Sequence, residues 1–459
     1  MDRTVKTFFK ALTYSFVIAA MSCQGGKSNN SAAENATLFT HVNLIDGNGE
    51  VQRDISILVQ GDSIADIGQQ IDSSDYEVID LNGKTIMPAL ISTHVHVGTM
   101  KGTENNADFY TRDNILSQLK KYQDYGVLTI LAMGSDRPLL FDSGIRDSSV
   151  AGLLPGARMY SAAYGFGAVQ GGPPAAMGMN QVFRPHTEAE VPSEMDSLVK
   201  LKPEVVKLWV DDFGGQFPKM PSSIYKAIIE EAHKHNLRAA SHLYYLSDAK
   251  QLLQDGVDIF AHSVRDNVVD DELLNLMKSK GTIYIPTLSL DEFAYIYARK
   301  PEWLDDEFFK ASLEPGVYEM ITSQAYQDNL KNAPNYQQNV KAFETALQNL
   351  KKIYDAGILV AMGTDSGAMP IRTQGFSEHL ELELMTQAGL SPLQAITVAT
   401  KNSARMLGID QQYGTLEKGK IADFIVLDAN PEQDIKNTRK IAAVYKAGKE
   451  VSKGPLSND

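Results

Sequence analysis

Thr85-Ile-Met-Pro-Ala-Leu-Ile-Ser-Thr-His-Val-His96 is an apolar run that closes on two histidines, and it decides how the chain is read. Alternate residues of an extended strand point to the same side, so His94 and His96 at a strand end aim two imidazoles at one point. Neutral imidazole is a preferred ligand of zinc and its first-row neighbours. Two satisfied structural histidines would look the same in isolation. The rest of the chain adds weight, because Lys207, His242, His262 and Asp365 also lie in or just past apolar, strand-like runs.

Those runs are Ile86–Ile91, Leu128–Ala132, Ala157–Ser161, Val205–Val210, Ala239–Ser241, Ile259–Ala261, Thr282–Pro286 and Ile358–Met362, and helical stretches alternate with them. The pattern predicts an α/β fold, a (β/α)8 TIM barrel over 88–411, whose reactive groups gather at the carboxyl ends of the strands. A doubly wound sheet competes, but it brings ligands from so many strands to one place less readily. Short alternating strands punctuated by glycine turns fill 38–87 and again 412–453, which predicts one small β-sandwich domain built from both chain ends. Two insertions, Tyr160–Thr187 (rich in Gly, Pro, Met and Ala) and the helical Asp291–Ile353, are expected beside the site.

The chain has 459 residues, 43 basic and 57 acidic, with a net charge of −14. No basic stripe is available to neutralise phosphates, so a nucleic-acid partner is not expected. The one cysteine excludes a disulfide framework and a cysteine metal site. It follows a short apolar stretch, Ala11–Met21, itself preceded by Arg3, Lys6 and Lys10. This resembles a bacterial lipoprotein signal over 1–22, with Cys23 lipidated and 23–37 a polar linker. The expected location is the bacterial cell envelope, on the periplasmic side or the outer membrane, held only by that lipid anchor.

Taken singly, the other candidates are ambiguous. His242 and His262 fit core histidines, and Asp365, in Gly363-Thr-Asp-Ser-Gly367, could cap a helix. Lys207 is odder. Val205-Val-Lys-Leu-Trp-Val210 puts an amine inside a buried strand, where an ammonium is costly unless paired, for instance with Asp211 or Asp365. Tyr244 fits a donor to a substrate carbonyl or carboxylate, or plain packing. Arg265 fits an anion binder or a surface ion pair, and His379 a helix-terminal hydrogen bonder ahead of an amphipathic helix, Leu380–Ala388.

The order H-x-H, Lys, His, His, Asp on strand ends resembles the amidohydrolase superfamily, in its binuclear branch with a carboxylated lysine. Leu44-Ile-Asp-Gly-Asn-Gly49, Asp80-Leu-Asn-Gly-Lys-Thr-Ile-Met-Pro88, Ala399-Thr-Lys-Asn-Ser-Ala404 and the tail Gly414-Thr-Leu-Glu-Lys-Gly-Lys-Ile-Ala-Asp-Phe-Ile-Val-Leu-Asp428 carry the likeness across 38–453. The group it looks most like is the imidazolonepropionase-like set that includes Xaa-Pro dipeptidases. The resemblance implies that Lys207 reacts with CO2 to form a carbamate bridging two divalent metals, zinc being the expected one. His94, His96 and Asp365 would then hold one metal, and His242 and His262 the other. Two such cations lower the pKa of a shared water, and Asp365 would orient it and carry its proton. Ala89 and Ser92 stand where the family has a glycine and an aspartate, so Ser92 removes a supporting carboxylate.

The expected activity is hydrolysis of an amide in a small-molecule substrate, a dipeptide or N-acyl amino acid. A lactone, ester or phosphotriester would suit the same site, and a deaminase is a further rival that Lys207 opposes. Nothing in the sequence opposes a homo-oligomer.

Overall fold

The computed structural model describes residues 36–174 and 178–457. Cys23 and the expected signal segment lie outside the described residues. Among those described, no helix is long and apolar enough to cross a membrane.

The first strands form one mixed sheet. β1 (Ala36–Ile45), β2 (Val51–Gln60), β3 (Ser63–Gly68), β4 (Glu77–Asp80) and β5 (Thr85–Pro88) are joined from the far end of the chain by β16 (Phe424–Leu427), β17 (Ile441–Lys446) and β18 (Lys449–Ser452). Their order is β18-β17-β16-β5-β1-β2-β3, with β4 paired to β1. β5 is the junction of the two ends, parallel to β1 and antiparallel to β16 with Ile86 opposite Val426. The sheet curls until β3 meets the segment before β16, where Ser63 bridges Ile421. Inside the curl Phe39 meets Phe424 and Tyr445 edge-on, at centroid distances of 5.4 and 5.2 Å.

One residue separates β5 from β6 (Leu90–Val95), which is buried at every position. That is the pattern of a parallel strand covered on both faces. After a small hairpin, β7 (Met100–Lys101) and β8 (Glu104–Asn105), the parallel strands continue. They are β9 (Val127–Ala132), β10 (Arg158–Ser161), β11 (Val206–Trp209), β12 (Ala239–His242), β13 (Ile259–Ala261), β14 (Ile283–Ile285) and β15 (Leu359–Val360). They form two sheets, β10-β9-β6 and β11-β12-β13-β14-β15. Single parallel bridges, Phe166 to Leu208 and Val95 to Ser366, join the two sheets at both seams. One face of these strands packs Ile91, Leu131, Val205, Ala240, Ile259, Ile285 and Ala361 together, while the other packs against the surrounding helices. The buried pair Arg158–Asp423 ties β10 to the residue just before β16, and so fastens the mixed sheet to the parallel strands.

Candidate metal centre

The candidate ligands converge at the carboxyl ends of the parallel strands. His94 lies near the end of β6 and His96 just past it. Lys207 is in β11, His242 closes β12, His262 follows β13 and Asp365 follows β15. Oδ1 of Asp365 is 2.9 Å from Nε2 of His96 and 3.3 Å from Nε2 of His94. The ligand atoms of these three residues all lie within 4.8 Å of one another. The His262 ring sits between those of His94 and His242, with centroids 4.6 and 4.3 Å away.

Asp365 does not cap a helix. Its backbone is left-handed, with φ of 58°, an unusual state for a residue with a side chain. Its N–H and that of Thr364 both donate to the His94 carbonyl, so the H-x-H strand itself holds the aspartate. Burial alone would lift the Asp365 carboxyl, but the charges of His96 and Arg372 and the bonds from both imidazoles outweigh it. The group lies well below the usual carboxylate range.

Lys207 is 1% exposed. Neither Asp211 nor Asp365 pairs with it, and its Nζ has no hydrogen-bond partner among the described residues. It lies 5.4 Å from the Trp209 ring centroid. Burial pushes its pKa down to about 7, so near neutrality much of it is free amine, the form that attacks CO2. Nδ1 of His94 is likewise buried and unpartnered among the described residues. Burial and the Lys207 charge lower His94 to about 3, and burial also lowers His242 and His262, so all three rings are neutral and able to ligate. Unpartnered, neutral nitrogen donors facing a carboxylate fit a divalent cation.

Several supporting side chains carry no sequence signal of their own. Ser135 Oγ lies 2.5 Å from Nδ1 of His96, and Thr287 Oγ1 lies 2.8 Å from Nδ1 of His262. Each turns the opposite ring nitrogen toward the site, as an outer hydrogen-bond partner does. Asp211 takes Nε2 of His242 at 2.9 Å, and Phe213 stacks on that ring at 5.3 Å. Arg372 pairs with Oδ2 of Asp365. Serine, threonine and arginine in loops are too common to single out without the fold.

The weaker candidates resolve differently. Arg265 forms a buried ion pair with Asp291 at 2.9 Å, not a surface one. Tyr244 lies over that guanidinium at 4.8 Å and accepts from Gln338 at 3.5 Å. His379 sits inside the helix Phe376–Gln387, wholly buried between Thr438 and the Tyr125 carbonyl. Within the segment Tyr160–Thr187, Phe166 lies beside β11 and exchanges backbone bonds with Lys207 and Trp209. A side chain at Gly165 would come within 2.1 Å of Trp209, so only glycine permits that approach.

Residues 85–451 match the amidohydrolase family model. The chain belongs to the amidohydrolase family. Among curated relatives, an ochratoxinase from Aspergillus niger is 25% identical, over 90% of this chain and 85% of that protein. A 5-methylthioadenosine/S-adenosylhomocysteine deaminase from Bacillus cereus (strain 03BB102) is 24% identical, over 91% and 90%. Among solved structures, a Xaa-Pro dipeptidase with methionine in its active site superimposes with a TM-score of 0.71 at 24% identity, covering 91% of this amidohydrolase and 99% of that chain. The A. niger ochratoxinase structure gives 0.67 at 20%, covering 93% and 98%. At these identities the likeness of structures is one of fold.

Proposed function

We propose that this amidohydrolase uses two divalent metals, zinc first among them, to hydrolyse an amide of a dipeptide or N-acyl amino acid. His94, His96 and Asp365 would hold one metal, His242 and His262 the other, and Lys207, as its CO2 carbamate, both. The observation that carries the reading is the buried Lys207 amine, without a partner among the described residues, amid neutral imidazoles. When bound, the metals supply a nucleophilic water at neutral pH and polarise the scissile carbonyl. Asp365 takes the proton from the attacking water and delivers it to the departing nitrogen as the C–N bond breaks. Ser135 and Thr287 keep two imidazoles in the orientation the metals need. The Tyr160–Thr187 segment and the helices after β14 shape the substrate space, with Tyr244 at its edge offering a hydroxyl to substrate. The bridges at both sheet seams support closure of the eight parallel strands into one barrel. The small domain we assign is 38–87 with 412–453, around a barrel of 88–411.

The deaminases among the relatives make C–N cleavage at a ring carbon the second reading. One screen separates them. Zinc-loaded protein is offered dipeptides, N-acyl amino acids, lactones, esters and adenosine derivatives, while bound metal is counted. Lys207→Ala should lose metal and turnover, and short carboxylic acids should partly restore both. Full activity of Lys207→Ala without added acid sinks the carbamate. Asp365→Asn should keep metal and lose about 100-fold or more in turnover.

From the sequence alone we further propose the lipid anchor at Cys23 and envelope attachment. Cys23→Ala should release the protein from membranes, and continued attachment would defeat this.

A further inference from the structure

Arg372 is in direct contact with Asp365, and the two-metal chemistry asks nothing of its remaining N–H groups. Its Nη1 contacts Oδ2 of Asp365, the oxygen turned away from His94 and His96. Its Nε has no partner among the described residues, and its side chain is 19% exposed. Arg265, past the end of β13, is engaged elsewhere. Nε meets Asp291 at 2.9 Å, Nη1 donates to the Leu243 and Ser263 carbonyls, and Tyr244 covers its face.

Hydrogen bonds tie down the loop that carries Arg372. Its carbonyl accepts from Gly367 at 2.8 Å and its N–H donates to Met369 at 2.9 Å. At Gly367, with φ of +80°, a Cβ would lie 2.0 Å from the His96 carbonyl, so the loop rests directly on the H-x-H strand. From outside, Tyr297 donates to the Ile371 carbonyl at 3.1 Å and Thr373 to that of Ser312 at 2.6 Å. The guanidinium is thus held in place before any substrate arrives, which limits the entropy lost on binding.

We propose that Arg372 is the specificity-determining residue that binds a carboxylate on the amine side of the scissile bond. This rests on the amide-hydrolase reading above and orients the substrate within it. In an N-acyl α-amino acid the scissile nitrogen and the carboxylate carbon share one Cα and lie about 2.5 Å apart. A nitrogen close enough to take a proton from Asp365 therefore puts its carboxylate beside the guanidinium that touches the same aspartate. Arginine's planar fork suits such a carboxylate better than a lysine would. The substrates selected are N-acyl-α-amino acids and dipeptides with a free carboxyl terminus.

The test uses N-acetyl-L-methionine and its counterpart lacking the carboxylate, N-acetyl-3-(methylthio)propylamine, with zinc-loaded wild type, R372M and R372K. Wild type should favour the carboxylate substrate. R372M frees Asp365 and should slow both substrates, but the carboxylate substrate should lose a further factor of about 10 to 100 in kcat/KM through KM, so that the preference falls by that factor, with R372K between. An unchanged preference in R372M overturns the assignment. Calorimetric titration with L-methionine gives a readout independent of turnover: wild type should bind it, and R372M should bind at least tenfold more weakly. Equal binding, or none to wild type, overturns the assignment as well. A wild type that binds L-methionine through Arg372 but cleaves no amide would sink the hydrolase reading and leave the carboxylate site standing.

Discussion

Lys207→Met should make the metal-free protein more stable, an unusual sign for a substitution at a fully buried position. Lys207 is 1% exposed, and its amine has no partner among the described residues. A buried polar group left without a hydrogen bond costs about 1–3 kcal/mol. Methionine has nearly the same length and no polar end, and a volume-conserving swap of this kind costs less than about 1.5 kcal/mol. The balance favours the variant by about 1 kcal/mol. The assay is chemical denaturation of chelated, CO2-free protein, followed by tryptophan fluorescence, for which Trp209 beside Lys207 is well placed. Adding zinc and bicarbonate should reverse the order. A ligand at 1,000 times its dissociation constant stabilises the native state by about 4 kcal/mol, and only the wild type has the lysine that the proposed bridge requires. A Lys207→Met protein less stable than wild type by more than about 1 kcal/mol in chelator would show that the amine is satisfied. A reactive, unpaired Lys207 would then be ruled out.

Two further outcomes follow from groups away from the site. Asp423→Ala strands Arg158 in the interior and removes the acceptor that the Ala447 N–H meets at 2.7 Å. The expected loss is about 3–5 kcal/mol, against about 0–1 kcal/mol for Glu432→Ala at the exposed Arg53 pair; equal losses would refute a buried clasp. His379 is pushed down to about 3 by burial, so the native state holds it neutral while the unfolded chain protonates it near 6.5. Its contribution is therefore present above pH 6.5 and is lost as pH falls toward 3, amounting to about 2 kcal/mol by pH 5. His379→Gln should lower the proton uptake on unfolding between pH 6.5 and 5 by about one, and an unchanged slope would contradict the burial argument.

The parts of the site legible in the sequence are those fixed by strand periodicity. His94, His96, Lys207, His242, His262 and Asp365 each fall in or just past a short apolar run. The alternation of such runs with helices is enough to bring their ends together. The groups that aim the ligands were not legible. Ser135, Thr287 and Arg372 stand in loops, where residue type says little and the turn decides the direction. Asp211 was visible only as a possible partner for Lys207, whereas it holds His242 instead. His379 misleads for a related reason. The acidic residues around it suggest an amphipathic helix with a wet face, yet Glu378, His379 and Glu381 are all wholly buried.

Those two glutamates explain why a helix should carry charge inward at such cost. They lie three residues apart on Phe376–Gln387, so they share a face. Glu378 accepts from Thr364 at 2.7 Å and from Ser366 at 2.8 Å, the neighbours on either side of Asp365. Glu381 accepts the backbone N–H groups of Leu288 and Ser289 at 2.7 and 2.8 Å, directly after Thr287. Asp365 and Thr287 both have left-handed backbones, at φ of 58° and 52°. Each such residue costs about 1–3 kcal/mol and persists only where its surroundings over-determine it. Burial pushes Glu378 up to about 7 and Glu381 up to about 8, so neither is comfortable as a charge. Hydrogen bonds to the two strained turns offset part of that burial, and the turns gain the anchors that keep them bent. One helix therefore braces the end of β14, where Thr287 orients His262, and the end of β15, where Asp365 faces the H-x-H pair. The strands set the candidate ligand positions, and this buried acidic face holds the two turns that carry Thr287 and Asp365.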